Sequence, residues 1–188
     1  MKYLIAGLGN IGEEYKNTRH NIGFQILDTL AGVSNVVFKD RRYGFVAGQK
    51  FKSRTFILLK PSTFVNLSGR AVNYWLQKEK IPLSNLLVLV DDIALPFGEI
   101  RLRARGSHAG HNGLRNISEV LGTNDYARLR FGIGDDFPRG MQVEHVLSNW
   151  TEEEEKELPG KIERCIEIIK SYGTIGIDRT MNYFNTRS

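Results

Sequence analysis

The sequence predicts a single-domain α/β fold: a three-layer sandwich in which a central mixed β-sheet is flanked by helices on both faces. Two observations support this class. Short apolar runs typical of buried strands alternate with amphipathic segments of helical period, and a chain of 188 residues has the usual size of one domain. We therefore expect residues 1–188 to form one domain, with a helical segment from about residue 151.

The strands are assigned from apolar composition. The strongest runs are Lys2–Gly7, Thr55–Leu59, Leu86–Val90 and Arg128–Ile133, and weaker strand patterns lie at Asn35–Lys39, Tyr43–Gly48 and Glu99–Arg103. Ligands bind sheets of this class beyond the carboxyl ends of the strands. The residues that follow these runs are therefore the first candidates for a functional site.

Helical patterns fill the segments between the strands. They span Asn21–Leu30, Ser62–Lys78 and Leu114–Leu121, and we expect Ser62 to cap the second of them. Near the C-terminus, Thr151 and Glu154 have the spacing of a capping box. An apolar stripe then predicts a helix that ends at Gly173, followed by a weaker helical segment at Ile175–Phe184.

Composition and charge restrict the class of partner and the cellular compartment. The formal net charge is +5 and the pI is about 9.3, which favours a partner rich in phosphate, although a basic protein without such a partner would have the same balance. The single cysteine, Cys165, excludes an internal disulfide and a cysteine metal cluster. The apolar run after Lys2 is too short for a signal peptide, and no run approaches the ~20 apolar residues of a membrane span. We expect a cytoplasmic protein.

The segment GLGNIG at residues 7–12 has the GxGxxG pattern of dinucleotide sites and directly follows the first strand. In such sites the third glycine opens a helix whose amides hold the pyrophosphate. Here Glu13 and Glu14 place carboxylates at that point, and the helical pattern starts only at about Thr18–Asn21. We interpret the glycines as shaping a loop that presents Asn10, rather than as a nicotinamide-cofactor site.

Asparagines and histidines lie between glycines at the predicted strand ends, in segments 9–12, 18–23, 63–69 and 106–113. Ester hydrolysis needs a base for water, an orienter for that base, and donors for the carbonyl oxygen. His20 suits the base, Asp91 suits the orienter, and the amides of Asn10, Asn66 and Asn112 could hold the substrate without adding charge. No serine lies in a nucleophile elbow and the one cysteine lies in a helical stripe, so water is the favoured attacker.

Each of these residues has a structural alternative. His20 could cap or open the helix that follows it, Asp91 could be an ordinary turn residue, and Asn66 could bond its own helical backbone. Asn112 could simply start a helix. His108 and His111 would suggest a metal only with a third ligand from elsewhere, and the chain has no HExxH motif, so we expect no metal.

Arginines alternate in two predicted strands. Arg101, Arg103 and Arg105 would project from one face of a strand, and Arg128 and Arg130 repeat the spacing on the next. Such a stripe suits a phosphate backbone. An edge strand protected by charge would show the same pattern.

Six segments in order, GLGNIG, TRHNIGF, KPSTFVNLSG, VDDIALPFG, GHNGL and RLRFGIG, resemble the bacterial peptidyl-tRNA hydrolase family. The match runs from Met1 to about Asn149, and MNYFN at residues 181–185 is similar to the family's ending. The resemblance implies a monomeric cytoplasmic hydrolase without a cofactor or an obligatory protein partner. Its substrate would be peptidyl-tRNA released prematurely in translation, bound by the acceptor stem and the 3′ end, so that hydrolysis recycles the tRNA and contributes to ribosome rescue.

The same resemblance implies roles for individual residues. His20 matches the family's catalytic base, Asp91 matches its acid partner, and Asn10 matches an asparagine beside them that positions water. The segment Gly134–Val146 corresponds to a mobile flap over the substrate channel. Substrate contacts are implied for Asn66, Asn112, His111, Tyr15 and Val65, and tRNA contacts for Arg103, Arg105 and Arg130.

Two positions depart from the family pattern. Val65 stands where methionine is usual, and Ala94 stands where an acid is common; neither change removes a chemical role. The main alternative function is a catalytically inactive RNA-binding scaffold of the same fold, as in the plant organellar group II intron splicing factors that resemble these hydrolases. Such a scaffold should expose an apolar patch for its protein partner, and none is evident in the sequence.

Overall fold

A computed structural model describes residues 1–185 and shows one seven-stranded mixed sheet. Its strands are β1 (Lys2–Gly7), β2 (Lys39–Arg41), β3 (Gly44–Phe51), β4 (Arg54–Pro61), β5 (Leu86–Asp92), β6 (Ile100–Arg103) and β7 (Ala127–Gly132). They lie in the order β2-β3-β4-β1-β5-β7-β6. The four central strands are parallel, whereas β2 and β3 at one edge and β6 at the other join by antiparallel pairing.

Helices cover both faces of this sheet, which confirms the predicted three-layer α/β fold. The helices are α1 (Ile22–Val33), α2 (Ser68–Lys78), α3 (Asn112–Leu121), α4 (Gln142–Val146), α5 (Glu152–Ile175) and α6 (Ile177–Phe184). One apolar layer joins α1 and α5 to the sheet, and the other joins α2 and α3. No helix within residues 1–185 is long and apolar enough to cross a membrane.

The central strand β5 explains where the site forms. Residues 86–90 are all apolar and buried, since the strand is covered by helices on both faces. The chain becomes polar at Asp91 and Asp92, where β5 reaches the carboxyl edge of the sheet. The neighbouring parallel strand β1 ends at the same edge, so the loop after Gly7 lies beside Asp91.

The start of α2 differs from the sequence prediction. Ser62 does not cap a helix: its N–H donates to the Tyr43 carbonyl and continues the pairing of β3 with β4. Phe64 is extended, a short 3-10 turn covers Val65–Leu67, and α2 begins only at Ser68. Asn66 therefore lies in a tight turn at the sheet edge, and not inside a helix as the periodicity had suggested.

Two other boundaries were also wrong. Strand β2 lies at Lys39–Arg41, and not at Asn35–Lys39. The capping box at Thr151 and Glu154 is confirmed, but the helix continues past Gly173 to Ile175. Gly173 lets α5 pack closely against Phe56 of β4, since a Cβ at this position would lie 2.4 Å from the Phe56 ring.

Two glycines allow a close backbone contact just before the loop that carries Asn10. A Cβ on Gly7 would lie 2.4 Å from the Gly23 carbonyl oxygen, and one on Gly23 would lie 2.4 Å from the Leu8 nitrogen. These two glycines let the end of β1 touch the first turn of α1. Gly12 has a φ of 118° and leads into a 3-10 turn at Glu13–Tyr15, so no helix opens toward a pyrophosphate.

Candidate active site

A buried carboxylate holds two histidines at the carboxyl edge of the sheet. His20 Nδ1 lies 3.0 Å from both carboxylate oxygens of Asp91, and His111 Nε2 lies 2.9 Å from Asp91 Oδ1. Asp91 is only 5% exposed. His20 comes from the 3-10 turn Arg19–Asn21 before α1, and His111 is the N-cap residue of α3. His20 lies in the turn that leads into α1 and also contacts Asp91, while Asp91 lies within β5. Asp92 has the turn role, since its Oδ1 accepts from the Ala94 N–H.

The surrounding hydrogen bonds determine which ring nitrogen carries a proton. His111 Nδ1 accepts from the N–H groups of Gly113 and Leu114, so this nitrogen has no proton and Nε2–H donates to Asp91. In the same way His20 Nδ1–H donates to Asp91, because a carboxylate accepts only. This leaves His20 Nε2 as the unprotonated nitrogen of the neutral ring.

Charge and burial act in opposite directions on these groups. Burial lowers the pKa of His20, but the charge of Asp91 and its hydrogen bond outweigh that effect and raise the pKa above its usual value. Burial alone would raise the pKa of Asp91, whereas attraction to His20 and His111 and their hydrogen bonds hold it well below its usual range. Asp91 therefore stays ionised and stabilises a positive charge on His20.

Three asparagines face the same cleft. Asn10, Asn66 and Asn112 all line it, and none of their side-chain amides has a partner within residues 1–185. Asn10 is held through its backbone: its N–H donates to Asn21 Oδ1 and its carbonyl accepts from Asn21 Nδ2, both at 2.8 Å. Sequence reasoning missed Asn21. Its position directly after His20 was visible, but its pairing with a residue eleven positions away was not.

The cleft has a volume of about 560 Å³. Val65 forms a buried part of its wall, while Phe64 and Val143 are exposed apolar residues that line it as well. Tyr15 does not line this cleft; it lies in a neighbouring groove of about 310 Å³ that shares Asn10, Phe64 and Leu67 with it. Among residues 1–185, no cysteine lines either the cleft or the neighbouring groove. The one serine of the described residues that lines them is Ser62, in the neighbouring groove that also contains Tyr15.

The segment Gly134–Val146 closes one side of the cleft. Its helix α4 contributes Gln142, Val143 and Val146 to the lining. His145 fastens this segment, since it lies 3.1 Å from the Ile133 carbonyl and stacks on the Phe137 ring. The segment predicted as the flap thus contains the short helix α4.

The arginines do not form the predicted stripe. Arg103 and Arg105 are exposed, but β6 ends at Arg103, so Arg105 lies outside the strand. Arg128 is fully buried and donates to main-chain carbonyls, including those of Gly106 and Asn124. The alternating spacing correctly places Arg128 and Arg130 on one face of β7, but it does not indicate that Arg128 is buried. Arg128 therefore serves the fold and does not present a charge for phosphate.

Arg130 is partly buried, and so is intermediate between the buried Arg128 and the exposed Arg103 and Arg105. It lines the cleft, donates to the Ser107 carbonyl at 2.8 Å, and lies 3.4 Å from Asp92 Oδ2. The positive charge of Arg130 is therefore partly balanced by the Asp92 carboxylate. Arg103 and Arg105 are the arginines of this set with freely exposed side chains.

The spacing of ligand atoms also raises the question of a metal. His20, Asp91 and His111 place three such atoms within 4.8 Å of one another. Both imidazole nitrogens that face Asp91 carry a proton in the network above, so in that tautomer neither has an in-plane lone pair for an ion. His108, considered in the sequence with His111, lines the cleft but is not part of this group, and its Nδ1 accepts from the Gly110 N–H.

Fold and site together define an α/β-sandwich hydrolase. A family model described as peptidyl-tRNA hydrolase matches residues 4–188. A relative named peptidyl-tRNA hydrolase from Phocaeicola vulgatus is 60% identical over the full length of both chains. The crystal structure of peptidyl-tRNA hydrolase from Acinetobacter baumannii is 33% identical, covers 97% of this chain and 94% of its own, and superposes with a TM-score of 0.91. The chain belongs to the peptidyl-tRNA hydrolase family.

Proposed function

We propose that this enzyme hydrolyses the ester between a peptide and the 3′-terminal ribose of tRNA with a water molecule that His20 activates. The observation that supports the mechanism best is the 3.0 Å contact between His20 Nδ1 and Asp91. It leaves Nε2 as the basic nitrogen of a side chain that lines the cleft. A positioned imidazole with an ionised partner is a suitable general base near neutral pH.

The proposed reaction has two steps. His20 Nε2 removes a proton from water while the oxygen attacks the ester carbonyl, and Asp91 stabilises the imidazolium that forms. The tetrahedral intermediate then breaks its bond to the ribose oxygen, which takes the proton from Nε2 and leaves as the tRNA 3′-hydroxyl group. The peptide leaves as a carboxylate and its proton goes to solvent.

The asparagine amides are proposed to hold the substrate. Asn10 lies beside His20 and is assigned to the water or the ester carbonyl, where a fixed donor stabilises developing negative charge. Asn66 and Asn112 are assigned to the adjacent peptide bond, which distinguishes peptidyl-tRNA from ordinary aminoacyl-tRNA. His111, Val65 and Tyr15 complete the substrate contacts, Tyr15 from the outer groove.

The tRNA is proposed to approach along the β6 side, where Arg103 and Arg105 are exposed. Arg130 would contact it at the mouth of the cleft. The proposal places a monomer in the cytoplasm, where it frees tRNA from prematurely released peptidyl-tRNA. It needs neither a cofactor nor a metal, since the base, its orienter and the amide donors are all side chains.

Activity should fall on the acid side of neutrality. Because His20 acts as a base only when neutral and its pKa is raised, kcat/KM is expected to decline as pH falls through a value above about 6.5. The measurement is initial release of tRNA from N-acetyl-aminoacyl-tRNA between pH 5 and 9, with binding measured at the same values. A flat profile, with binding unchanged, would contradict the assignment of the base.

Salt dependence should reveal the tRNA surface. Replacing Arg103 by glutamine is expected to weaken tRNA binding and to lower the slope of log Kd against log salt concentration by about 0.7–0.9, as for one phosphate contact. Arg130→Gln should have a smaller effect, because its charge already faces Asp92. Lys52→Gln, in the turn between β3 and β4 at the opposite end of the sheet, is the charge-matched control. Equal slopes for Arg103→Gln and the control would exclude the proposed surface.

A further inference from the structure

Arg19 joins the turn that carries His20 to the end of the flap segment. Arg19 is buried, with 8% of its side chain exposed, and its Nη1 donates to Ser148 Oγ and, at 2.8 Å, to the Asn149 carbonyl. Its Nη2 lies 2.7 Å from Glu154 Oε1. These partners lie 129 to 135 positions away in the sequence, so the contact is tertiary and is not part of local helix capping.

The backbone reinforces this connection. The Arg19 N–H donates to the Ser148 carbonyl at 3.0 Å, and Thr18 forms an isolated bridge with Asn149. Ser148 directly follows Leu147, which lines the cleft together with α4. The chain thus leaves the cleft wall and is fastened within one residue to the turn that carries His20.

Glu154 extends the same network to α5. Its Oε1 accepts both from Arg19 Nη2 and from the Thr151 N–H, while Thr151 Oγ1 accepts from the Glu154 N–H. One carboxylate therefore completes the capping box and holds Arg19. Sequence spacing predicts only the first role, because the second depends on the fold.

We propose that Arg19 is a positioning residue that sets the distance between His20 and the α4 wall of the cleft. The inference rests on the hydrolysis proposed for His20. His20 is oriented independently by Asp91, so loss of the Arg19 contacts should loosen α4 more than it disturbs the base. Because α4 lines the cleft that is proposed to hold the peptide, the peptide part of the substrate should then bind less tightly while the chemical step keeps most of its rate.

The test compares Arg19→Met with wild type on N-acetyl-aminoacyl-tRNA. KM is expected to rise about 10-fold, while kcat stays within about threefold and the acid limb of the pH profile does not move. Arg19→Lys keeps the charge but not the forked contact, and should recover part of the loss. Melting temperature and the folded fraction are measured for every variant, so that a loss of folded enzyme is not counted as a change in KM.

Two further variants separate positioning from helix capping. Glu154→Gln keeps an acceptor for the Thr151 N–H but loses the charge that faces Arg19, so it should raise KM in the same direction. Thr151→Ala removes the capping box and leaves the Arg19–Glu154 pair, so it should lower the melting temperature with KM unchanged. The conservative variants keep the test informative if Arg19→Met does not fold.

The outcomes are distinct. Wild-type KM in folded Arg19→Lys and Glu154→Gln would overturn the proposal, as would equal losses of kcat and kcat/KM. A KM increase with Thr151→Ala equal to that with Glu154→Gln would also overturn it, because the start of α5 would then be the cause. Absence of hydrolysis by the wild type would instead refute the proposed mechanism itself.

Discussion

Replacing Asp91 by asparagine is expected to reduce kcat by about 10³- to 10⁴-fold while leaving tRNA binding nearly intact. Asp91 accepts from two imidazole N–H groups at once. An amide has one acceptor oxygen and would direct its NH₂ group at the other imidazole. If that imidazole is His20, its Nδ1 must become the acceptor, so Nε2 takes the proton and can no longer remove one from water.

Asp92→Asn is the matched control for this substitution. It makes the same change one residue along β5, where the carboxylate faces Arg130 and the Ala94 N–H, and not the histidines. We expect kcat within about threefold of wild type, since the side chain does not touch the proposed base. Single-turnover release and the melting temperature are measured for both variants. Similar kcat values for Asp91→Asn and Asp92→Asn would rule out the orienting role of Asp91.

Replacing His20 by alanine is expected to lower kcat by about 10²- to 10⁴-fold, because the general base is removed while the amide donors remain. His108→Ala is the control, since His108 lines the same cleft without contacting Asp91. Release of labelled tRNA from N-acetyl-aminoacyl-tRNA is measured beside tRNA binding.

The results of this comparison separate the two functions considered from the sequence. Loss of release confined to His20→Ala, with binding retained, supports the water mechanism. Equal losses for His20→Ala and His108→Ala would contradict it. A folded wild type that binds tRNA and releases none would support the RNA-binding scaffold instead.

Much of the site could be predicted because it lies where the polarity of the chain changes abruptly. The apolar run of β5 ends where Asp91 begins the polar residues, so the strand assignment alone indicates that Asp91 lies at the carboxyl edge of the sheet. The late start predicted for the first helix is confirmed in kind, since α1 begins at Ile22 and a 3-10 turn follows Gly12 instead. Both predictions used only residues close in sequence, namely the end of an apolar run and the residues that follow the glycines.

The errors arose where the outcome depended on partners distant in sequence. The alternating spacing places Arg128 on the same face as Arg130. Only the fold shows that Arg128 is buried and that its guanidinium donates to the Gly106 and Asn124 carbonyls. Helical spacing extended α2 back to Ser62, whereas pairing with β3 keeps that residue in the sheet edge. Arg19 gave no signal at all, since its partners lie beyond residue 147.

The contact between Gly7 and Gly23 has a consequence for the interpretation of mutational scans. Neither residue does chemistry, yet a methyl group at either one would meet backbone atoms at 2.4 Å and push α1 away from β1. Overpacking of this kind costs about 1–3 kcal/mol and would displace both His20 and the Asn10 loop. A growth-based scan would therefore rank these glycines with the proposed catalytic residues. Only a parallel measurement of protein abundance would separate the two kinds of intolerance.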